Sequence, residues 1–173
     1  GFWDIESNWS LGLPALGQHI YINAGNYLNP VVTSTEIRSG WDYAVDRLNS
    51  GADLVISSGS LTLNDTNYQS RMDAALRIQG GGLNALGGIQ TQSLLVTSGW
   101  LDGLVDTGNA FLSGLVQLNA TVNAAGTLEL DDFADTGMFG AIVAQDEAIV
   151  NNSNLRYFET RGSLTVTGLT TYT

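Results

Sequence analysis

Carboxylates make up most of the side chains in this chain that have the chemistry for a metal site. Asp131, Asp132 and Asp135 lie close together in the sequence, and calcium prefers hard carboxylate oxygens as its ligands. These three residues are therefore our candidate calcium site, and no other cofactor is expected. Their spacing matches neither an EF-hand loop nor the glycine–aspartate nonapeptide repeat, so solvated turn residues are the alternative interpretation.

Two further pairs of acids, Asp102 with Asp106 and Asp146 with Glu147, have the residue types that hydrolyse glycosidic bonds when both carboxylates face one cleft. His19 is the single histidine, and no nucleophile motif lies near it. A serine–histidine–aspartate triad or a histidine-rich metal site is therefore not expected. We predict no catalytic residues and no enzymatic activity, and a polysaccharide-degrading enzyme is kept as a third hypothesis.

Trp100 is the candidate ligand-binding residue. It follows the Ser98–Gly99 pair at a position where related segments of the chain have Ser or Thr. A tryptophan at a turn has the flat apolar face that stacks on a sugar ring, so glycans are a candidate partner. The alternative is that Trp100 fills a local gap in the hydrophobic packing.

Short β-strands are expected to position these residues. Nine segments alternate apolar and polar side chains over four or five residues and end near Gly, Asn or Asp, which is the pattern of strands joined by tight turns. They are His19–Asn23, Leu54–Ser57, Ser60–Asn64, Ala75–Gln79, Ser93–Thr97, Leu115–Asn119, Thr127–Asp131, Ala148–Asn152 and Ser163–Thr167. Helix signals are weak, and 35–48 permits either one short helix or an extended segment with a strand.

A degenerate repeat recurs along the chain. A short strand leads to a residue pair that ends in glycine, and a leucine that opens the next strand follows shortly after. Four segments share this plan: 54–64, 94–103, 121–130 and 158–168. Repeats of this kind are typical of stacked architectures in which no single unit can bury its apolar face alone.

The predicted fold class is all-β, and the predicted architecture is a β-solenoid, with a β-sandwich as the alternative. The solenoid is favoured because the strands are very short, the repeat recurs, and asparagine is common at strand ends, where side-chain amides stack in ladders between coils. These asparagines are Asn64, Asn119, Asn123, Asn151 and Asn152.

One β domain, residues 1–173, is expected to have two regions. Residues 1–50 hold three of the four tryptophans and are predicted to be an aromatic-rich cap region, whereas 51–173 are predicted to hold the solenoid repeats. Solenoids need caps because their ends expose unpaired backbone and apolar side chains. The final segment, 163–173, is strand-forming throughout and offers no comparable cap, so we expect something else to cover it.

The opening W-D-I-E-S-N-W-S-L-G-L-P (3–14) resembles the W-x-x-x-x-N-W-S-x-G-x-P entry of bacterial surface proteins that carry autotransporter-type or anchor-bearing β-strand repeats. The stretches 58–64 and 161–168 resemble the G-x-L-T-L/V units of those repeats. The resemblance implies a right-handed β-helix, export from the cell, and a structural or adhesive role. It brings no catalytic residues with it.

Charge and composition restrict the partners and the location. Charged residues are 13% of the chain, the net charge is −11, and no lysine or cysteine is present. Such a surface repels phosphate backbones, so nucleic-acid binding is not expected, and no apolar run is long enough for membrane insertion. A polar surface built from Ser, Thr, Asn and Gln predicts an exported, extracellular or cell-surface protein. The start at Gly1, without methionine or signal peptide, indicates a processed form or a segment of a longer chain.

Our first functional hypothesis is an extracellular structural protein that binds copies of itself end to end, as a filament or as part of a surface stalk. The second is a carbohydrate-binding adhesin or phage fibre module. The residues expected to mediate assembly are the apolar side chains of the two terminal regions: Phe2, Trp3, Trp9, Leu164, Val166, Leu169 and Tyr172.

Overall fold

The computed structural model of the chain describes residues 1–22, 34–38, 40–137 and 139–172. In these residues a single 3₁₀ turn, Glu6–Asn8, accompanies fourteen β-strands. The strands are β1 (His19–Ile22), β2 (Ser34–Ile37), β3 (Asp42–Val45), β4 (Arg47–Ser50), β5 (Asp53–Ile56), β6 (Ser60–Leu63), β7 (Ser70–Ala124), β8 (Thr127–Asp135), β9 (Ala141–Ala144), β10 (Glu147–Asn151), β11 (Asn154–Leu155), β12 (Phe158–Thr160), β13 (Ser163–Thr167) and β14 (Thr171–Tyr172). No helix in the described ranges is long and apolar enough to cross a lipid bilayer.

The strands form a parallel β-solenoid of about seven turns. Face 1 is the ladder β1-β4-β7-β8-β10-β13, face 2 contains β2-β5-β7 and β8-β11-β14, and face 3 is β3-β6-β7-β9-β12. Strand β7 belongs to all three faces because its 55 residues wind around the axis more than once. The predicted all-β solenoid is thus confirmed. The β-sandwich alternative is wrong, because sandwiches of that class pair their strands antiparallel.

The core consists of columns of inward-facing side chains. Alternate residues of each strand point inward, and parallel pairing in register places Leu54 against Leu76 and Leu61 against Leu83. All four leucines are fully buried. A column of this kind removes apolar surface from water at every coil, which stabilises the stack by about 25 cal/mol for each Å² buried.

Predicted strands agree with the structure where alternation is clearest. Strand β13 has the predicted bounds, and β8 begins where predicted but continues to Asp135. Three predicted strands between residues 75 and 119 lie inside the single long strand β7. For the predicted strand His19–Asn23, the last residue lies outside the described residues, and β1 covers the rest.

Two predictions concern the N-terminal region. The described residues of 35–48 form parts of β2, β3 and β4, with alternate residues such as Thr35 and Ile37 buried, so the extended alternative is correct and the helix is not. The predicted cap region of residues 1–50 contains strands β1 to β4. The solenoid starts at His19, since β1 already pairs in register with β4.

The cap itself is built around Trp3. Residues 1–3 join face 2 by backbone hydrogen bonds: the Trp3 N–H donates to the Glu36 carbonyl at 2.8 Å, and the Glu36 N–H donates to the Gly1 carbonyl at 2.9 Å. The Trp3 side chain is fully buried and packs edge-on against Trp9, with ring centroids 5.0 Å apart. One tryptophan of the N-terminal region is therefore inserted into the end of the core.

The glycines of the sequence repeat lie where one coil runs closely over the next. An added Cβ at Gly59 would collide with the Trp41 carbonyl, and one at Gly99 would collide with the Gly81 carbonyl. These two glycines precede face 3, whereas Gly126 precedes β8 on face 1. The repeated unit is thus a motif for a corner of the coil, and the chain uses it at two different corners. It therefore does not recur once in every solenoid turn.

Candidate functional site

The final coil presents inward-facing side chains that no described residue covers. In face 1, Leu164 pairs in register with Ala148, and Val166 pairs with Val150. The two residues beneath are buried, whereas Leu164 and Val166 are 49% and 52% exposed. Leu164 and Val166 therefore stand at positions that are buried in the coil beneath, but they are themselves exposed to solvent. This is the feature expected of an edge that another strand covers.

The same end of the solenoid is apolar and carries few charges. Leu169 and Tyr172 are also largely exposed. Residues 162–172 contain no charged side chain in a chain of net charge −11. The neighbouring Glu159 and Arg161 neutralise one another in an ion pair of 2.7 Å. Lysine, proline or another charged residue usually prevents an edge strand from pairing with a second chain. Strand β13 has none of these residues.

The predicted assembly residues of the N-terminus are less accessible. Trp3 is fully buried, so it supports the end of the core and does not contact another molecule. Trp9 is half-buried, and its indole N–H donates to the Trp3 carbonyl at 2.9 Å. Phe2 is also half-buried, with the Arg38 guanidinium carbon 3.3 Å from its ring centroid. Exposed apolar side chains at this end belong instead to residues outside the predicted assembly set, such as Leu11.

A groove runs along β1 at this N-terminal end. Its lining includes Trp9, Leu11, Pro14, Ile20 and Tyr21 and contains no acidic side chain. Among the described residues, β1 pairs only with β4, so its other edge has no strand partner. Sequence reasoning missed this edge because the alternation in β1 is the same as in strands that are paired on both sides.

The predicted calcium residues do not form a ligand set. Asp131 accepts a hydrogen bond from the Asn151 amide at 2.7 Å, and Asp135 accepts one from the Leu118 backbone N–H at 3.1 Å. Asp132 is exposed to solvent. Within the described ranges, no three His, Cys, Asp or Glu side chains are placed to hold a metal ion. Two of the three carboxylates instead hydrogen-bond neighbouring coils.

One residue of each further acid pair is used in the same way. Asp106 accepts hydrogen bonds from the Gln69 amide at 2.7 Å and from the Asn123 amide at 2.8 Å, so both carboxylate oxygens are engaged. Glu147 accepts one from the Thr127 hydroxyl at 3.3 Å. The predicted amide ladders therefore take the form of amide–carboxylate pairs between coils. A carboxylate offers only acceptors, which suits the amide N–H donors of the adjacent coil.

Trp100 lies on the backbone of the coil before it. The indole is half-buried and covers Gly82, where an added Cβ would overlap the ring. One face of the indole is thus in contact with protein. This placement fits the gap-filling interpretation, and sugar stacking on Trp100 stays a prediction.

A polar cleft that the sequence did not indicate lies beside β1 and β4. It is lined by His19, Asp46, Arg47 and residues 64–68. The Arg47 Nη2 atom is 3.1 Å from Nδ1 of His19, and its guanidinium carbon is 5.3 Å from the ring centroid of Tyr68. Arg47 forms no ion pair with any residue in the described part of the chain. The cleft could not be predicted from the sequence because the residues that line it come from three successive coils.

No protein-family model matches the chain, and neither a curated protein nor a solved structure matches it significantly.

Proposed function

We propose that this chain is an extracellular structural protein, without enzymatic activity, that binds copies of itself through its final coil. The observation that carries the proposal is the exposure of Leu164 and Val166 at positions where the three preceding strands of face 1 have buried side chains. A second copy that adds a strand at β13 would cover both side chains. It would also satisfy the free backbone edge of that strand.

The energy available from this contact is large enough to matter. Burying a leucine or a valine completely is worth about 1.5–3 kcal/mol each, and both are half-buried already, so their remaining surface contributes a part of that. Backbone hydrogen bonds along the five-residue strand β13 add to it. The uncharged surface also lets two chains of net charge −11 meet without placing like charges in contact.

The proposed location follows from composition. A surface with 13% charged residues, no lysine and no cysteine is more typical of exported repetitive β proteins than of cytosolic domains. The predicted resemblance to bacterial surface proteins agrees with this location. Such a module would build either a filament or part of a surface stalk.

Replacing Leu164 by aspartate is expected to weaken self-association about tenfold or more, because an ionised side chain would be buried in the contact. Analytical ultracentrifugation over a range of concentrations measures the change. Thr165→Asp is the matched control, since it adds the same charge to the same strand on the outward side and should have a smaller effect. Leu164 is half-exposed, so circular dichroism should show both variants folded.

Two results would contradict the proposal. Wild-type protein that stays monomeric at high concentration would mean that the final coil has no second copy as its partner. Equal association of the Leu164→Asp variant and wild type would mean that copies meet through another surface.

Glycan binding is the second candidate function, and the cleft beside Arg47 is the observation that favours it. The cleft combines a guanidinium donor, the Asp46 and Asp65 carboxylates as acceptors, and the ring of Tyr68, which is 64% exposed. Alternating donors and acceptors beside an aromatic face suit the hydroxyls and the apolar face of a sugar. Two carboxylates for one guanidinium favour a neutral sugar over an acidic one.

Tyr68→Ala is expected to weaken binding of neutral oligosaccharides about tenfold, because the aromatic face of the cleft is removed. A glycan array followed by calorimetry on the best neutral oligosaccharide measures it. Tyr157→Ala is the matched control, because Tyr157 is 63% exposed and does not line the cleft. If no neutral glycan binds the wild-type protein, glycan binding is not its function. Loss of binding in Trp100→Ala, with Tyr68→Ala unaffected, would move the site to Trp100.

A further inference from the structure

We propose that the surface that receives β13 is the free edge of β1 in the next copy, so that copies join head to tail. This inference rests on the proposed self-association and identifies the second of the two surfaces that meet. Strands β1 and β13 are the two end strands of the same ladder on face 1. Each uses one edge within its own chain, β1 with β4 and β13 with β10. Joining them continues one parallel sheet from one copy into the next.

The side chains of the two strands match in alternation. In β1, Ile20 and Ile22 point into the core, and in β13, Leu164 and Val166 do so. Aligning the first residue of β13 with the first residue of β1 places Leu164 against Ile20 and Val166 against Ile22. The same alignment pairs the outward-facing residues Thr165 and Tyr21. A shift by one residue would turn the apolar side chains of β13 outward, so the alternation selects against it.

The environment of the β1 edge is compatible with an incoming neutral strand. The adjoining groove is lined by Trp9, Leu11, Pro14 and six other residues, none of which is acidic. Strand β13 and the residues after it, up to Tyr172, carry no charge. Neither surface brings a carboxylate to the contact, which matters because every copy is strongly acidic.

The other two faces of the first coil are already occupied by the chain's own cap. Phe2 forms a parallel bridge with Glu36 on face 2, and Trp3 packs on Tyr43 of face 3 at 6.0 Å between ring centroids. On face 1, no described strand pairs with the outer edge of β1, although Trp9, Leu11 and Pro14 line a groove along it. The core-facing Ile20 and Ile22 are already buried there. The receiving site is one strand wide.

Head-to-tail pairing is heterologous, because the two surfaces that meet are different. Contacts of this kind propagate into open filaments unless the rotation closes a ring. The competing geometry, β13 against β13, is isologous and antiparallel, and it stops at a dimer. The parallel ladder of face 1 continues without change of direction only in the head-to-tail arrangement.

Disulfide trapping tests the pairing, and the chain suits it because it contains no cysteine. Neighbouring parallel strands lie about 4.8 Å apart, within the Cα separation that a disulfide spans. The double variant Tyr21→Cys/Thr165→Cys is expected to form a ladder of multimers on non-reducing gels after mild oxidation. A mixture of the two single variants should give only dimers that contain one chain of each.

The controls separate this proposal from the alternatives. Dimers of Thr165→Cys alone would overturn it in favour of the tail-to-tail contact. Efficient trapping of His19→Cys/Thr165→Cys, with none of the Tyr21 variant, would overturn the proposed register. Self-association in ultracentrifugation with no trapping by either double variant would place the receiving surface elsewhere. A monomeric wild type would instead contradict the proposed function itself.

Discussion

Replacing Trp3 by alanine is expected to lower the free energy of unfolding by about 3–5 kcal/mol, the usual cost of removing a fully buried aromatic side chain. Trp3 has no exposed surface and closes the N-terminal end of the core. It also contacts Trp9 and Tyr43, at 5.0 and 6.0 Å between ring centroids. Both neighbours would lose a packing partner and gain contact with water. Chemical denaturation followed by circular dichroism measures the change.

Trp41→Ala is the matched control, because Trp41 is 70% exposed and a surface substitution usually changes stability by less than about 0.5 kcal/mol. Trp3→Phe is the conservative variant. The Trp3 indole N–H has no hydrogen-bond partner among the residues that the structure describes, so phenylalanine loses only volume and should recover most of the stability. If Trp3→Ala and Trp41→Ala have the same effect, the cap does not support the core.

The position along the chain at which Trp3→Ala loses stability is as informative as the amount of stability lost. In a solenoid each coil contacts only its neighbours, so stability is approximately a sum of local terms. Hydrogen exchange in Trp3→Ala should therefore accelerate first in β1 and β2. Strands β10 and β13 at the other end should keep their wild-type protection. Uniform acceleration along the chain would indicate a single cooperative unit instead.

Replacing Gly59 by alanine is expected to destabilise the protein by about 3 kcal/mol or more, a size reached by substitutions that strain a special backbone conformation. Gly59 has φ of +76°, which side chains other than that of glycine adopt at a cost. An added Cβ would also collide with the Trp41 carbonyl in the coil beneath. Because that atom belongs to the backbone, the collision can be relieved only by moving two coils apart.

Gly17→Ala separates the two contributions to that effect. Gly17 has a similar φ of +87°, but no atom lies within 4 Å of an added Cβ. It should therefore show only the conformational cost, about 1–2 kcal/mol. The difference between the two variants in denaturation midpoints measures how tightly neighbouring coils approach at Gly59. Equal effects of the two substitutions would show that the coil–coil contact at Gly59 is not tight.

Local alternation predicted the strands well. Strand β13 has its predicted bounds, and Thr127 was correctly expected to open β8. Period-two alternation is a property of the extended backbone, in which successive side chains point to opposite sides. A few neighbouring residues are enough to reveal it. The short strands and the recurring unit also indicated a stacked architecture, which is why the solenoid could be preferred over the sandwich.

The candidate site was predicted only in part. Leu164 and Val166 were expected to mediate assembly, and the structure places them at an uncovered edge. Trp3 was expected there too but is buried, because its backbone joins β2 and carries the side chain into the core. The free edge of β1 gave no signal in the sequence. Whether an edge is paired depends on a segment elsewhere in the chain.

The amino-acid pattern therefore defines which residues are extended, which of them face inward, and that the segment forming β13 has no charge to protect its edge. It does not define which corner follows which, since the unit around Gly59 and that around Gly126 read alike but precede different faces. It also leaves open which carboxylate meets which amide, as with Asp131 and Asn151. The reason is the same in each case. Alternation and turn preference act within a few residues, whereas the stacking of one coil on another depends on close contacts between residues that are far apart in the chain.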